Sequence, residues 1–428
     1  MLVITCAAVS CTKEGGSDVP KVKDPIEIVS PSPDKTISKV SLNAGQESYV
    51  KAGNGFAINS LKSLYGQAEG NMVFSPLSLQ YALAMTVNGA SGETAEEILS
   101  VFGYGDNLQS LNGFCNLLLN QLPALDGKVT LKLTDAMIVS DSYTVREDFR
   151  NTLAGVYYAP VEYLDYSNPQ KVTDRINEWA YRSTDGFIYP LIDKSDLSDN
   201  VVAIILNALY FKAPWQDSGM SPLFDPDITM DGCPFLYDGG GEGKADYMRC
   251  SHYFRYGRME ENGILEIPYA GGKYVMYVVL PDEKGGKGID NLLSSISEES
   301  LSGAIALMTS EAEVNLRLPK FEIENKFNLN GMLSSLGIRR VFDASEAQLD
   351  RIFVGENAFI DKIIQKARIN VTEWGTEAGA VTEVDLGPSS TPDEDIRTVD
   401  FYADHPFAFF IAEKSSGVIL FEGIYAGK

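Results

Sequence analysis

Residues 373–388 read Glu373-Trp374-Gly375-Thr376-Glu377-Ala378-Gly379-Ala380-Val381-Thr382-Glu383-Val384-Asp385-Leu386-Gly387-Pro388. Taken in steps of two, Thr376, Ala378, Ala380, Thr382, Val384 and Leu386 share one face. Glu377, Gly379, Val381, Glu383 and Asp385 share the other. One face is small or apolar and the other mostly acidic or small, which fits a strand with one side on a core. Ala378, Gly379 and Ala380 lower the steric cost of placing a new strand between two existing ones. The chain then continues Pro388-Ser389-Ser390-Thr391-Pro392-Asp393-Glu394-Asp395. Two prolines and three consecutive acids favour an exposed loop open to proteolysis. The loop over about 373–404 thus has a first half able to become a buried strand and a second half that must stay in water. On pattern alone, an acidic surface hairpin is the competing reading.

The rest of the composition narrows the function. The chain has 428 residues, 44% of them apolar and 22% charged, ordinary values for a protein with a large core. It carries 35 basic and 59 acidic residues, a net charge of -24. That surface repels nucleic acid, heparin-like polyanions and anionic lipid. Cys6, Cys11, Cys115, Cys233 and Cys250 show no C-x-x-C pairing, which argues against a disulfide framework or a zinc site. Cys115, Cys233 and Cys250 read as core or surface thiols.

Catalytic signatures are missing. His252 and His405 are the two histidines, so no H-E-x-x-H site exists. There is no G-x-S-x-G elbow and no phosphate loop, and no metal or cofactor is expected. A Ser-His-Asp hydrolase would have to use His252 or His405. His405 precedes Pro406 and a hydrophobic strand, and reads as packing. His252 has no evident partner.

Along the chain, Met1 to Cys11 are apolar and small, too few for a bilayer span of roughly 20 residues. Ala8-Val9-Ser10-Cys11 resembles a bacterial lipobox, with Cys11 as the lipid anchor; an ordinary signal or a disordered end competes with this. Residues 12–45 contain Pro20, Pro25, Pro31 and Pro33 and read as a disordered polar tether. Residues 46–428 read as one domain. Ala57, Leu61 and Leu64, and then Leu79, Ala82, Leu83 and Thr86 after Ser75-Pro76, have helical spacing. Val201–Phe211, Tyr274–Leu280, Val314-Leu316-Leu318, Phe407–Ile411 and Val418–Phe421 read as strands, the last two joined by a turn at Ser415-Ser416-Gly417. Helices first and strands later indicate an α+β fold.

Several of these stretches resemble one family. Gly375-Thr376-Glu377-Ala378-Gly379-Ala380 is similar to the hinge that opens the reactive loop of serpins. Asn71-Met72-Val73-Phe74-Ser75-Pro76-Leu77-Ser78-Leu79 resembles the start of their shutter helix. Asn207-Ala208-Leu209-Tyr210-Phe211-Lys212-Ala213-Pro214-Trp215 resembles the central strand of their main sheet. Leu318-Pro319-Lys320-Phe321, Leu336-Gly337-Ile338 and Asp404-His405-Pro406-Phe407-Ala408-Phe409-Phe410-Ile411 also match, in the family's order.

The resemblance implies a serpin fold: helices packed around a large mixed or antiparallel central sheet, with an exposed reactive loop. It implies a hinge over Gly375, Thr376, Glu377, Ala378, Gly379, Ala380, Val381 and Thr382. It implies a shutter of Ser75, Ser78, Asn207 and, where the family has histidine, Gln365, whose amide can both donate and accept. Trp374 departs from the charged residue common beside the hinge glycine. The implied function is suicide inhibition of a serine protease: the loop is cut, an acyl-enzyme forms, and the cut strand inserts into the main sheet and carries the protease away. About 15 residues at roughly 3.3 Å each reach on the order of 50 Å, enough to cross a domain.

Two counts place the scissile bond differently. Fourteen residues beyond Gly375 lies Ser389-Ser390, whereas the family's spacing back from Pro406 lands at Asp395, beside Ile396 and Arg397-Thr398. The first count is favoured, because the hinge side sets insertion length. Ser389 suits an elastase-like enzyme, and Arg397-Thr398, the alternative, a trypsin-like one; a cysteine protease is a further candidate target. A monomer is expected, meeting membrane only through Cys11, exported in a bacterium to the periplasm, outer membrane or cell surface. The competing function is a non-inhibitory serpin acting as a binding or structural protein.

Overall fold

A computed structural model describes residues 25–31, 36–68, 70–103, 107–197, 202–217, 222–308, 311–355, 358–376 and 398–427. The helices among them are α1 (Ala44–Tyr65), α2 (Pro76–Gly89), α3 (Gly92–Val101), α4 (Leu108–Gln121), α5 (Glu147–Tyr157), α6 (Pro169–Ser183), α7 (Gly286–Ser295), α8 (Glu298–Leu307) and α9 (Asn330–Leu336). The strands are β1 (Met72–Phe74), β2 (Thr130–Ser140), β3 (Val161–Leu164), β4 (Ala203–Pro214), β5 (Met230–Leu236), β6 (Glu242–Met259), β7 (Asn262–Pro268), β8 (Tyr274–Pro281), β9 (Glu311–Pro319), β10 (Phe321–Asn328), β11 (Ile364–Thr372), β12 (Gly375–Thr376), β13 (Thr398–Tyr402), β14 (Phe407–Glu413) and β15 (Ile419–Tyr425).

Two sheets organise them, as the α+β reading and the resemblance imply. The main sheet runs β10-β11-β12-β4-β2-β3. The second runs β1-β15-β14-β8-β7-β6-β9-β13, with β5 beside β6. β8, β14 and β15 are buried at every residue, which explains their largely apolar sequences, interrupted by the buried Glu413 and Glu422.

The main sheet is buried on both faces, and alternation in β2 and β4 says how. Leu131, Leu133 and Met137, with Leu209 and Phe211 across the ladder, join the large core between the sheets and α1–α5. Ala136 and Ile138, with Leu206 and Ala208, join a smaller core beneath α6. Asn168 caps α6 by accepting from the Lys171 backbone N–H, with Pro169 at its first position. Ser75 caps α2 in the same way, accepting from the Ser78 N–H ahead of Pro76.

The tether expected over residues 12–45 is corrected for its described parts. Ile26 is fully buried in the core beneath α6, and Val40 is buried in the large core. Ile37 donates its N–H to Ala124 O at 2.9 Å, and Val40 donates to Ser415 Oγ at 3.1 Å. Polar composition predicts solvation, but a few well-spaced apolar residues suffice to dock an extended chain. The domain therefore begins before residue 46. Residues 1–24, Cys11 included, lie outside the described residues. No described helix is long and apolar enough to cross a membrane.

Candidate functional site

The site is a gap among the described strands of the main sheet. β12 has two residues, yet it pairs with both neighbours: Thr376 faces Val371 of β11 and Ala213 of β4, and Gly375 faces Thr372 and Pro214. Beyond Thr376, no described strand lies between β11 and β4. Both pairings of β12 are antiparallel, so the two walls run parallel to each other, one strand-width apart where β12 lies between them. Voids follow the gap. One touches Leu209, Phe211, Ile369 and Thr376 near the top, and one touches Ser75, Asn207 and Gln365 midway. At the far end a cavity of about 140 Å³ lies between the Ile204–Asn207 part of β4 and residues 358–366, over α2.

The mouth of the gap is tightly specified. Gly375 has φ +139, and a Cβ there would sit 2.1 Å from Ala213 O, so backbone approaches backbone where only glycine fits. Trp215 donates its backbone N–H to Trp374 O at 3.2 Å and its Nε1–H to Thr372 O at 2.8 Å. Its ring stacks on Tyr269 at 4.6 Å, and the Tyr269 hydroxyl meets Thr376 Oγ1 at 2.5 Å. Glu373 is buried against Lys320 Nζ at 3.0 Å and accepts from Thr229 Oγ1 at 2.8 Å. Burial pushes its carboxyl upward, but hydrogen bonds from the backbone, Thr229 and Lys320 outweigh that and hold it below the usual glutamate value. Trp374 itself is 40% exposed, with its ring on the solvent side.

Midway along the gap, Ser75, Ser78, Asn207 and Gln365 lie together. They form two half-networks, one on each wall. From β11, Gln365 grips the Ser75 backbone twice: Oε1 accepts from its N–H at 2.9 Å, and Nε2 donates to its carbonyl at 2.9 Å. Ser75 Oγ donates to Leu420 O at 2.9 Å, tying the cap of α2 to β15. On the β4 side, Ser78 Oγ donates to Asn207 Oδ1, and Asn207 Nδ2 donates to Asp135 Oδ1 at 2.6 Å. Asp135 is buried on β2, directly across the ladder from Asn207. Burial pushes its carboxyl up to about 7, only partly offset by the Asn207 hydrogen bond, and its Oδ2 has no partner.

Asp135 is not among the sequence-predicted site residues, although it shares the two-residue alternation of Leu131, Leu133 and Met137, the signal that places it on their buried face. Lys320 and Glu373 were missed as a pair because they are far apart in the chain. Of the hinge, Gly375 and Thr376 are in place in the sheet, while Glu377, Ala378, Gly379, Ala380, Val381 and Thr382 lie outside the described residues. So do Ser389, Ser390 and Arg397. Thr398 is described, and it starts β13, pairing with Glu313 of β9. His405 contacts Asp404 Oδ1 and Pro281 O, each at 2.7 Å, and His252 contacts Tyr253 O at 2.9 Å. Among the described residues, neither ring is hydrogen-bonded to a serine.

Among the described residues, the main sheet has only the two residues of β12 between β11 and β4, and they pair with both. A family model described as Serpin (serine protease inhibitor) matches residues 51–426. A serpin-like protein of Thermococcus kodakarensis is 33% identical over 385 residues, spanning 89% of this chain and 86% of that relative. The leukocyte elastase inhibitor of Equus caballus is 29% identical over 387 residues, spanning 89% and 99%. Among solved structures, a highly specific serpin of the insect Tenebrio molitor superposes with a TM-score of 0.76 at 28% identity, over 90% of this chain and all of that one. The chain belongs to the serpin family.

Proposed function

We propose that this protein inhibits a serine protease by a single, irreversible cycle of cleavage and strand insertion, with Ser389-Ser390 as the bait. The observation that carries the reading is the register of β12. Continued down the gap, it sets Ala378 between Phe211 and Ile369, Ala380 between Leu209 and Ala367, and Thr382 between Asn207 and Gln365. Every small or apolar residue of the alternating face then points to the core side, because Phe211, Leu209, Ile369 and Ala367 are buried there. Thr382 would bring a hydroxyl between the two half-networks. The register reaches Ala203, the end of β4, at Leu386, just before Gly387-Pro388. The strand-forming pattern of the loop and the length of the gap agree.

Before cleavage the loop is tethered at both ends, at β12 and at β13, which restrains full insertion. Attack by a protease serine on the Ser389 carbonyl expels the Ser390 amine and leaves an ester to the enzyme. The freed strand then fills the gap with the ester attached. Small flanking serines fit the narrow specificity pocket of an elastase-like protease, and the elastase-inhibitor relative supports that preference. Arg397-Thr398 is disfavoured because Thr398 is already held in a ladder with β9, whereas a protease cleft needs extended backbone on both sides of the bond. Small inward-facing hinge residues disfavour the non-inhibitory alternative. Cys11, with the lipobox-like residues before it, supports export and lipid anchoring in a bacterium, which would place the inhibitor where foreign proteases arrive.

The test is incubation of the protein with an elastase-like and a trypsin-like protease, followed by denaturing gels and mass measurement of released peptide. A detergent-stable complex with a fragment starting at Ser390 is expected. A fragment starting at Thr398 would move the bait to Arg397, and cleavage without any complex would end the inhibitor reading.

A further inference from the structure

The N-terminal segment is seated on the part of the fold that borders the gap. Residues 25–31 read Pro25-Ile26-Glu27-Ile28-Val29-Ser30-Pro31. Ile26 is 0% exposed, Glu27 is exposed, and Ile28 is partly buried, so the strip has one apolar side and that side is docked. Ile26 completes the core beneath α6, which joins Ile176 and Trp179 of α6 to Ile138 of β2 and Leu206 of β4. Arg182, in the last turn of α6, donates to Ile26 O, and its guanidinium is aimed there by Glu178 at 2.5 and 3.2 Å. One residue thus adds a buried side chain to this core and a charge-assisted hydrogen bond to the helix end.

The position matters because β4 is a wall of the gap. Widening the gap requires β4 and β2 to slide away from β11, and α6 lies across their outer face. At its other attachment, Asn177 accepts from the backbone N–H groups of Leu191 and Ile192 at 2.8 and 2.9 Å. A segment that joins α6, β2 and β4 into one packed unit raises the cost of moving any of them singly.

We infer that residues 25–31 are an intramolecular strap whose occupancy of the groove beside α6 holds α6 on β2 and β4 and so slows opening of the gap in the uncut protein. The second half of this inference rests on the insertion reading above. Released from the strap, the molecule passes faster into a filled-sheet form without being cut, and loses its bait.

Two full-length variants test this, Ile26→Asp, which puts a charge in the core, and Arg182→Met, which removes the tie to Ile26 O while keeping apolar bulk. Hydrogen exchange across α6 is measured first. Exchange at least about tenfold faster in both variants is expected, slowed again when a synthetic peptide of residues 25–31 is added to Ile26→Asp. Exchange in α6 within about twofold of the parent would overturn the strap. The half-life of the uncut, inhibitory form at 37 °C is measured next and is expected to shorten; an unchanged half-life with loosened α6 would overturn the link to the gap. Should the parent trap no protease, the insertion reading fails, while the exchange measurement still decides the strap.

Discussion

Asp135 is the residue whose chemistry departs most from its surroundings. It is a carboxyl in a closed site with one hydrogen bond, from Asn207, and no cation beside it; Cys115 of α4 and Tyr157 of α5 are the titratable groups that face it. Its native value of about 7 lies above the 3.8 of a free aspartate. The native state therefore holds a proton that the unfolded chain releases between those values. This group's contribution to stability falls as pH rises from about 4 to 7 and is constant above that. Its size is up to about 4 kcal/mol, taking about 1.4 kcal/mol for each pH interval of one between the two values. Asp135→Asn keeps the shape and removes the titration. The expected result is a higher urea midpoint at pH 8 in the variant than in the parent, and a much smaller difference at pH 5. Glu422, fully buried with both oxygens unpartnered, acts with the same sign, so some pH dependence remains. Equal parent and variant midpoints at pH 8 would show that Asp135 is solvated or paired there.

At the level of elements, the mouth of the gap depends on a contact between strand ends. Glu373 precedes β12 and Lys320 lies between β9 and β10, so their ion pair ties the root of the loop to the neighbouring connection between the two sheets. Lys320→Ala leaves the buried Glu373 carboxylate with Thr229 as its remaining side-chain donor. The expected cost is about 1–3 kcal/mol. Adding Glu373→Gln to that variant should recover part of the loss, because a neutral amide tolerates burial without a cation. Thermal unfolding of the two single variants and the double variant measures this, and strictly additive losses would deny the coupling. These contacts also mark what the sequence could and could not tell. β14 and β15 were legible because apolar runs joined by Ser415-Ser416-Gly417 are local signals, and α2 because Ser75-Pro76 is a local start. The gathering of Ser75, Ser78, Asn207 and Gln365 was legible only through family resemblance, since they come from three separate elements. β12 is too short to have a period, and its place depends on Ala213 and Val371 far away in the chain. The docked strap was hidden because prolines and charges around Ile26 and Ile28 average out two apolar residues that count singly. Asp135 was legible only through the alternation it shares with Leu131, Leu133 and Met137, because burial, not residue type, makes it unusual.

For the molecule as a whole, the described strands alone leave part of the main sheet's backbone hydrogen-bonding capacity unused between β4 and β11. Among the described residues, β4 and β11 each keep one ladder through β2 and β10, and over most of their length no described strand pairs with the other edge. Such edges normally end a sheet, and here they lie inside one. A strand seated from Gly375 to Leu386 would pair on both sides and bury Ala378, Ala380, Val384 and Leu386 against the large core. At roughly 1 kcal/mol net per hydrogen bond, the gain is on the order of 10 kcal/mol or more. On the proposed insertion reading the intact chain is held from this gain, because the segment leading to β13 is tied there by the parallel ladder from Thr398 to Tyr402. Cutting between those points removes the restraint. Protein nicked in the loop and freed of protease should unfold at a temperature higher than the intact form by on the order of 20 °C, taking roughly 2 °C per kcal/mol for a large domain. Scanning calorimetry of intact and nicked samples gives the comparison directly. A nicked sample that unfolds at or below the intact temperature would mean that the cut strand stays in solvent, and that the gap between β4 and β11 does not receive it.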